Sequence, residues 1–227
     1  MHPLDNVIWQ ALTTRQSEFA ESFDQARRFQ KDVTSLCAFL EPTERGYESL
    51  ASLTGAGGTA AVFLEEAYQA RPGWSLVGGA PLLEMVCPDG MELPASDPHV
   101  EFVELTRADV PEMVELAALT RPGPFGTRTL ELGTYLGIRR EGKLVAMAGE
   151  RLKVPGYTEV SAVCTHPGHT GKGYARILMS EVMHRIRDQD ETSFLHVRRD
   201  NVRAIALYER LGFRERVRLH YAVLRRD

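Results

Sequence analysis

Hydrophobic residues in the first 98 positions follow two different periods, and each change of period marks an expected element. Helical spacing after Asn6, a candidate N-cap, predicts a short first helix. A second helix is expected where apolar side chains share one stripe, at Phe19, Phe23, Ala26 and Phe29. The remaining pattern predicts strands at 33–40 and 59–64, a helix at 43–53, and one or two strands within 74–86 that break at Gly78-Gly79. Residues 1–98 are therefore expected to form an N-terminal α/β region that ends in a polar linker at 88–98.

Residues 99–227 form the second expected domain, in which strands and helices alternate. A strand at 100–105 leads into a helix at 110–119, with Thr106 or Asp109 as its cap. Further strands are expected at 135–139, 143–152, 158–164, 193–197 and 216–224, and a helix follows the third and the fourth of these. Short turns make the early strands antiparallel, whereas an intervening helix makes the later pair parallel. The expected fold class is α/β (α+β), with a mixed central sheet flanked by helices.

The stretch 160–180 contains the clearest chemical signal. An apolar strand is followed by a turn with Gly171, Lys172 and Gly173, and then by an amphipathic helix. Glycines leave backbone N–H groups unobstructed, and the start of a helix carries the positive end of its dipole, so the turn is typical of an anion site. Two common phosphate motifs do not fit, because Arg176 replaces the third glycine of a dinucleotide fingerprint and His166 replaces the first glycine of a P-loop.

The turn resembles motif A of the GNAT superfamily of acyl-CoA-dependent N-acetyltransferases, which reads Arg/Gln-x-x-Gly-x-Gly/Ala. The corresponding residues are Thr170, Gly171, Lys172, Gly173, Tyr174 and Ala175. Thr170 departs from the usual Arg or Gln, which we expect to weaken cofactor binding without abolishing it. The segment from Asn201 to Phe213 resembles motif B, Asn-x-x-Ala-x-x-Leu-Tyr-x-x-x-Gly-Phe, at every specified position. The resemblance covers about residues 101–227 and is closest to the FR47-like branch.

This resemblance implies acetyl-CoA as cosubstrate and no metal. In the family the central strand separates from its neighbour near its end, which here would free the amides of Val163 and Thr165 for the pantetheine arm and for an oxyanion. The complete implied cofactor-binding set is Val163, Cys164, Thr165, Thr170, Gly171, Lys172, Gly173, Tyr174, Ala175, Asn201, Ala204 and Tyr208.

Two residues are predicted to be catalytic. Acyl transfer to an amine needs a base for the ammonium proton and an acid or hydrogen-bond donor for the leaving thiolate. The resemblance makes Tyr208 the acid. Glu159, 14 residues before Gly173, lies in the register of the base glutamate of the histone-acetyltransferase branch. Glu150 or a water chain is the alternative base, and Cys164 as a nucleophile is a weaker idea because strand cysteines are usually inert.

The acceptor is open at this stage. Phe125 and Arg128, in a segment rich in Pro and Gly, are candidate substrate contacts together with Glu150. A small-molecule amine, a peptide N-terminus and a lysine side chain all fit. The rival function is a non-catalytic acyl-CoA sensor, which would keep the glycine turn without needing Tyr208 or Glu159. Residues 1–88 are interpreted as a degenerate GNAT-like half or as an unrelated cap, two readings that the pattern leaves open.

Composition and charge limit the classes of binding partner that we expect. The 227 residues carry a net charge of −4 and contain no long apolar run, so neither nucleic acid nor a membrane is an expected partner. The start of the chain lacks the pattern of a secretory signal. Three scattered cysteines, Cys37, Cys87 and Cys164, are typical of reduced thiols, and we expect a cytoplasmic protein. We expect a monomer or a homodimer.

Overall fold

A computed structural model describes residues 2–88, 90–91 and 100–227. Within these residues the α-helices are α1 Val7–Thr13, α2 Glu44–Thr54, α3 Val110–Thr120, α4 Tyr174–Arg187 and α5 Val202–Arg210. The β-strands of the same residues are β1 Ala20–Phe23, β2 Ala26–Phe29, β3 Cys37–Phe39, β4 Thr59–Leu64, β5 Trp74–Val86, β6 Val103–Glu104, β7 Tyr135–Arg140, β8 Lys143–Val154, β9 Tyr157–Thr165, β10 Thr192–Arg198 and β11 Arg214–Arg226. The predicted linker at 88–98 lies mostly outside the described residues.

Eight strands form one mixed sheet in the order β4-β11-β5-β10-β9-β8-β7-β6. Strands β9 and β10 pair in parallel, and the other neighbours in this sheet pair antiparallel. The expected mixed sheet, with its parallel pair beside the glycine turn, is therefore confirmed.

The N-terminal region contributes directly to this sheet. Strand β5 lies between β10 and β11, and β4 forms the edge beyond β11. A separate three-stranded sheet, β1-β2-β3, adjoins β4 through a bridge between Leu36 and Ala61. The domain boundary at residue 98 and the GNAT-like origin of residues 1–88 stay predictions, but hydrogen bonding of the large sheet is continuous across that boundary.

The helix expected over Phe19 to Phe29 is wrong, because this segment forms the β1–β2 hairpin. Asp24 takes a left-handed conformation in the turn, with φ 41°. Its carboxylate accepts hydrogen bonds from Arg45 Nε at 2.7 Å and from Ser49 Oγ at 3.1 Å. Both partners lie on α2, so a contact distant in sequence overrides the helical spacing.

Two further N-terminal expectations, the Asn6 cap and the strand break at Gly78-Gly79, are wrong. Helix α1 begins after Asn6, but the Asn6 side chain donates to the Phe39 carbonyl at 2.8 Å and does not cap the helix. Strand β5 is continuous through Gly78-Gly79. A Cβ at Gly79 would lie 2.3 Å from the Tyr221 carbonyl oxygen, so glycine here permits close pairing with β11.

Helices cover both faces of the large sheet. The expected apolar stripe of α4 is buried against one face, where it packs on β7 to β10. Helix α3 packs on the opposite face, because adjacent residues Tyr135 and Leu136 of β7 belong to different core clusters and side chains alternate along a strand. The C-terminal end of β9, the glycine turn and α5 meet at the α4 side of this core.

Candidate active site

The glycine turn connects β9 to α4 with its backbone open. Gly171 and Gly173 have φ values of 81° and 78°, where a side chain would be strained. A Cβ at either position would meet no atom within 4 Å, so the space beside both glycines is empty. Gly173 is the N-cap of α4 and supplies no side chain, which leaves the first N–H groups of this helix without a side-chain cap. The turn fits an anionic phosphate group.

Lys172 and two histidines lie at this turn. Lys172 Nζ lies 3.4 Å from His169 Nδ1. Desolvation, together with the charges of Lys172 and His166, lowers the pKa of His169 below its usual value. The Thr170 hydroxyl donates to the Pro167 carbonyl at 3.2 Å, which stabilises the turn. Threonine contributes no positive charge here, unlike the arginine of the family motif. A lowered pKa favours the neutral form of His169, so Lys172 is the positive charge of this turn that would attract a phosphate.

Strands β9 and β10 separate where the resemblance predicted it. Their parallel pairing runs from Thr192↔Tyr157 to Phe194↔Glu159, although both strands continue further. The His166 amide donates toward β8, to the Val145 carbonyl at 2.8 Å. Because amide directions alternate along a strand, the amides of Val163 and Thr165 point away from β8 and into the gap. The expected separation is confirmed, and it offers a slot for an extended chain bearing amides.

Tyr208 lies in α5 beside this gap. Asn201 caps the helix, its Oδ1 accepting from the Ala204 amide at 3.2 Å. Burial, and to a lesser degree the nearby Cys164 thiol, raises the pKa of Tyr208 to about 12. The phenol is thus protonated at neutral pH and able to donate. Its acid role stays a prediction.

Cys164 is not suited to covalent catalysis. Its thiol is buried, and burial raises its pKa to about 11. At neutral pH the reactive thiolate is therefore scarce.

Glu159 is fully buried, and its carboxylate is bound by Arg151 and His196. Arg151 donates from Nε and Nη2 to its two carboxylate oxygens, each at 2.8 Å. His196 Nδ1 lies 2.7 Å from Oε1, and the Leu152 amide donates at 3.3 Å. Burial alone would raise the pKa of Glu159, but Arg151 and His196 outweigh it and hold that pKa at about 2. The base role stays a prediction that this environment does not favour, because such a carboxylate is a weak proton acceptor.

His196 is a site residue that sequence reasoning missed. Its ring lies between two buried carboxylates, with Nδ1 near Glu159 and Nε2 at 3.3 Å from Glu84 Oε2. Burial lowers the pKa of His196, but contact with the two glutamates outweighs it, and the pKa is raised. The only sequence signal was a histidine inside the otherwise apolar strand 194–197.

The candidate acceptor residues have different surroundings. Phe125 packs edge-on against Tyr135, with ring centroids 5.8 Å apart. Arg128 is engaged by Gln30, Asp32 and Glu131, so it bridges the N-terminal region to the loop. Its role in substrate binding stays a prediction.

Glu150, the third candidate, is buried on β8. Its Oε2 pairs with Lys153 Nζ at 2.7 Å and accepts from the Thr134 amide at 3.3 Å. Its Oε1 is buried and has no hydrogen-bond partner within the described part of the chain. Glu150 thus has one buried carboxylate oxygen without a partner among the described residues.

Among the described residues, no three His, Cys, Asp or Glu side chains are grouped so that they could hold a metal ion. None of the helices in residues 2–88, 90–91 and 100–227 has the length and hydropathy of a membrane span.

The chain is similar to known proteins in sequence. A family model described as FR47-like protein matches residues 135–222. The N-alpha-acetyltransferase RimI of Mycobacterium tuberculosis is 36% identical over 120 residues, 48% of this chain and 75% of RimI. An uncharacterized protein of Mycobacterium leprae is 32% identical over 163 residues, which are 66% of this chain but 44% of that protein. The chain therefore spans less than half the length of that relative.

Solved structures resemble the whole chain. A crystal structure described as an acetyltransferase of the GNAT family, from Novosphingobium aromaticivorans, has a TM-score of 0.91 and 36% identity, with 100% of both chains covered. A GCN5-related N-acetyltransferase from Kribbella flavida has a TM-score of 0.64 and 16% identity, covering 98% of this chain and 93% of that one. The second likeness concerns the fold alone.

Proposed function

The chain belongs to the GNAT superfamily of N-acetyltransferases, in its FR47-like branch, and on that premise we propose that it transfers an acetyl group from acetyl-CoA directly to an amine. It is an acyltransferase by family, and the proposal concerns its cosubstrate, mechanism and acceptor. The observation that carries the proposal is the open glycine turn beside the gap between β9 and β10.

The turn and the gap would bind the two ends of the cosubstrate. Backbone amides at Gly171 and Gly173, with the N-terminus of α4, would bind the pyrophosphate, and Lys172 adds a positive charge. The amides of Val163 and Thr165 would pair with the pantetheine arm and donate to the carbonyl oxygen as negative charge develops on it. Acetyl-CoA supplies the activated acyl group, so no metal is needed.

Proton movements would fall to two side chains. Tyr208 is protonated and would donate to the departing sulfur. Glu150 is the better placed carboxylate for the ammonium proton, directly or through water, because its Oε1 has no partner among the described residues whereas Glu159 is bound by Arg151 and His196.

Acceptor and location are part of the same proposal. The acceptor is a small-molecule amine or a peptide or protein amine, the latter supported by the N-alpha-acetyltransferase name of RimI. All three cysteines are buried thiols, which supports a reducing compartment such as the cytoplasm. We retain a monomer or homodimer as the expected state.

Calorimetric titration with acetyl-CoA and free CoA, paired with a thiol-release assay on an amine panel, tests the proposal. Gly173→Val should lower CoA affinity about a hundredfold or more, because it blocks two or more charge-assisted hydrogen bonds. Gly156→Val is the matched control, since Gly156 has the same φ of 78° and equally empty surroundings but lies at the other end of β9.

The control should bind CoA like the wild type. Wild-type protein that binds neither ligand would overturn the proposed function. Binding without thiol release from any amine would favour the sensor.

A further inference from the structure

Gln16 is a buried polar residue of the N-terminal region that binds β8 of the large sheet. It is 2% exposed, whereas its neighbours Arg15 and Ser17 are exposed. Its Nε2 donates to the Arg151 carbonyl at 2.7 Å, and its Oε1 accepts from the Lys153 amide at 3.2 Å. These two bonds fix the segment after α1 to β8 across more than 130 positions of sequence.

The two bonds complete the hydrogen bonding of β8 where its neighbour ends. The Leu152 amide donates toward β9, to the Glu159 carboxylate at 3.3 Å. In a trans peptide the carbonyl points the opposite way, so the Arg151 carbonyl faces away from β9. On that side the pairing of β8 with β7 ends at Gly149. The side-chain amide of Gln16 therefore supplies the donor and the acceptor that β7 no longer provides.

Lys153 connects this contact to the candidate base. Its amide is bound by Gln16, and its ammonium lies 2.7 Å from Glu150 Oε2. The Thr134 amide donates to the same oxygen at 3.3 Å. Glu150 is 1% exposed, and its Oε1 has no hydrogen-bond partner among the described residues. The orientation of Oε1 therefore depends on the two groups that hold Oε2.

The same N-terminal region also binds the loop on the candidate acceptor side. The Arg128 amide donates to the Asp32 carbonyl at 2.9 Å, and the Thr129 hydroxyl donates to the Val33 carbonyl at 2.5 Å. A Cβ on Gly126 would lie 2.4 Å from the Asp32 carbonyl oxygen, so glycine permits this close approach. The N-terminal region thus holds both β8 and this loop.

We propose that Gln16 is a positioning residue for acetyl transfer, and that it acts through Lys153 on the carboxylate of Glu150. This inference rests on the proposed function, in which Glu150 accepts the ammonium proton. Gln16 moves no proton itself. It lies outside residues 135–222, the part of the chain that the family model matches, so the reaction depends on the N-terminal region for its geometry.

The substitution Gln16→Met tests this role, because it keeps the length of the side chain and removes both hydrogen bonds. It should lower kcat about tenfold in thiol release with the most active amine of the panel, since a small misplacement of a catalytic group has an effect of this size. Calorimetric affinity for acetyl-CoA should stay within about twofold of the wild type, because the cosubstrate would bind at the glycine turn and the gap. The melting temperature should fall, because two backbone groups lose their partner.

Two comparisons separate positioning from a general loss of stability. Ser49→Ala removes a buried hydroxyl that bonds to Asp24 in the N-terminal region, and it should lower the melting temperature without lowering kcat. The double variant Gln16→Met with Glu150→Gln should be at most about twofold slower than Glu150→Gln alone, because residues in one chain of contacts do not contribute additively.

An unchanged kcat of Gln16→Met would overturn the inference, as would an undiminished loss in the Glu150→Gln background or an equal loss in Ser49→Ala. If Gln16→Met does not fold, the same comparisons use Gln16→Ala, whose smaller side chain lets water reach both backbone groups. A wild-type kcat for Glu150→Gln would also overturn the inference, while acetyl-CoA binding and thiol release would still support the proposed function. Wild-type protein that binds no acetyl-CoA would instead contradict the proposed function.

Discussion

The substitution Glu159→Gln distinguishes two roles of Glu159, a catalytic base and a carboxylate that stabilises the fold. The Glu159 carboxylate is 0% exposed and holds Arg151 through two contacts of 2.8 Å. A carboxyl whose pKa falls from 4.5 to about 2 gains about 3 kcal/mol of stability in the folded state. Removal of one member of a buried ion pair costs about 3–5 kcal/mol, because the remaining charge has no partner. We expect Glu159→Gln to lose about that much unfolding free energy, a large part of the about 5–15 kcal/mol typical of a domain.

Urea denaturation followed by circular dichroism measures this loss, and its pH dependence identifies the cause. The pKa of Glu159 is depressed, so its contribution is present above about pH 4.5 and falls away as the pH drops toward 2. The difference between wild type and Glu159→Gln should therefore narrow in acid. Glu115→Gln, an exposed glutamate on α3, is the control and should stay within about 0.5 kcal/mol of the wild type.

The opposite outcome is equally clear. If Glu159→Gln unfolds within about 1 kcal/mol of the wild type and thiol release falls about a hundredfold with loss of the acid limb of the rate profile, Glu159 is the base. The ion pair with Arg151 would then contribute little.

Four other expectations address the remaining groups. Tyr208→Phe should lower kcat about tenfold to a hundredfold with unchanged CoA affinity, measured by thiol release and calorimetry, and an unchanged kcat would refute the acid role. Glu150→Gln should lower kcat with unchanged CoA affinity, while an unchanged kcat would favour a water chain without Glu150. Intact-mass spectrometry after mixing with acetyl-CoA should find no acetyl adduct on Cys164, because burial keeps its thiol protonated. Because the pKa of His196 is raised, protonated His196 stabilises the fold fully below about pH 6.5, and this stabilisation is lost at higher pH. The difference in unfolding free energy between wild type and His196→Gln, measured by urea denaturation, should therefore shrink as the pH rises. A difference independent of pH would mean that His196 is uncharged.

Features set by neighbouring residues could be predicted from the sequence. Helix α4 follows from the spacing of its apolar residues, and the Asn201 cap of α5 follows from a side chain three residues from the amide it binds. The glycine turn also follows from its local motif, whereas the separation of β9 from β10 was implied by the family resemblance. In each case the determining contacts are within one turn or one strand, where sequence patterns are informative.

Features set by distant residues could not be predicted. The hairpin at 20–29 depends on the contacts of Asp24 with α2, and its apolar spacing fits a helix equally well. The position of β5 between β10 and β11 depends on pairing of His196 with Glu84 across 112 positions of sequence. Strand order in a sheet is fixed by such non-local pairs, and one sequence alone does not reveal them.

The same strand order explains why Glu159 is surrounded by positively charged partners. Strand β10 lies between β5 and β9, so His196 meets one glutamate from each neighbouring strand. These contacts belong to a row of neighbouring groups that are alternately positive and negative, from Arg151 on β8 to Asp5 in the N-terminal region. In order they are Arg151, Glu159, His196, Glu84, Arg216 and Asp5.

In such a chain each interior charge is stabilised by two opposite neighbours, and loss of any one leaves two groups uncompensated. We therefore expect that protonation of Glu159 would weaken the ion pairs that it forms with Arg151 and His196. The sequence register predicts Glu159 as the base, and its contacts with Arg151 on β8 and His196 on β10 favour a structural role instead.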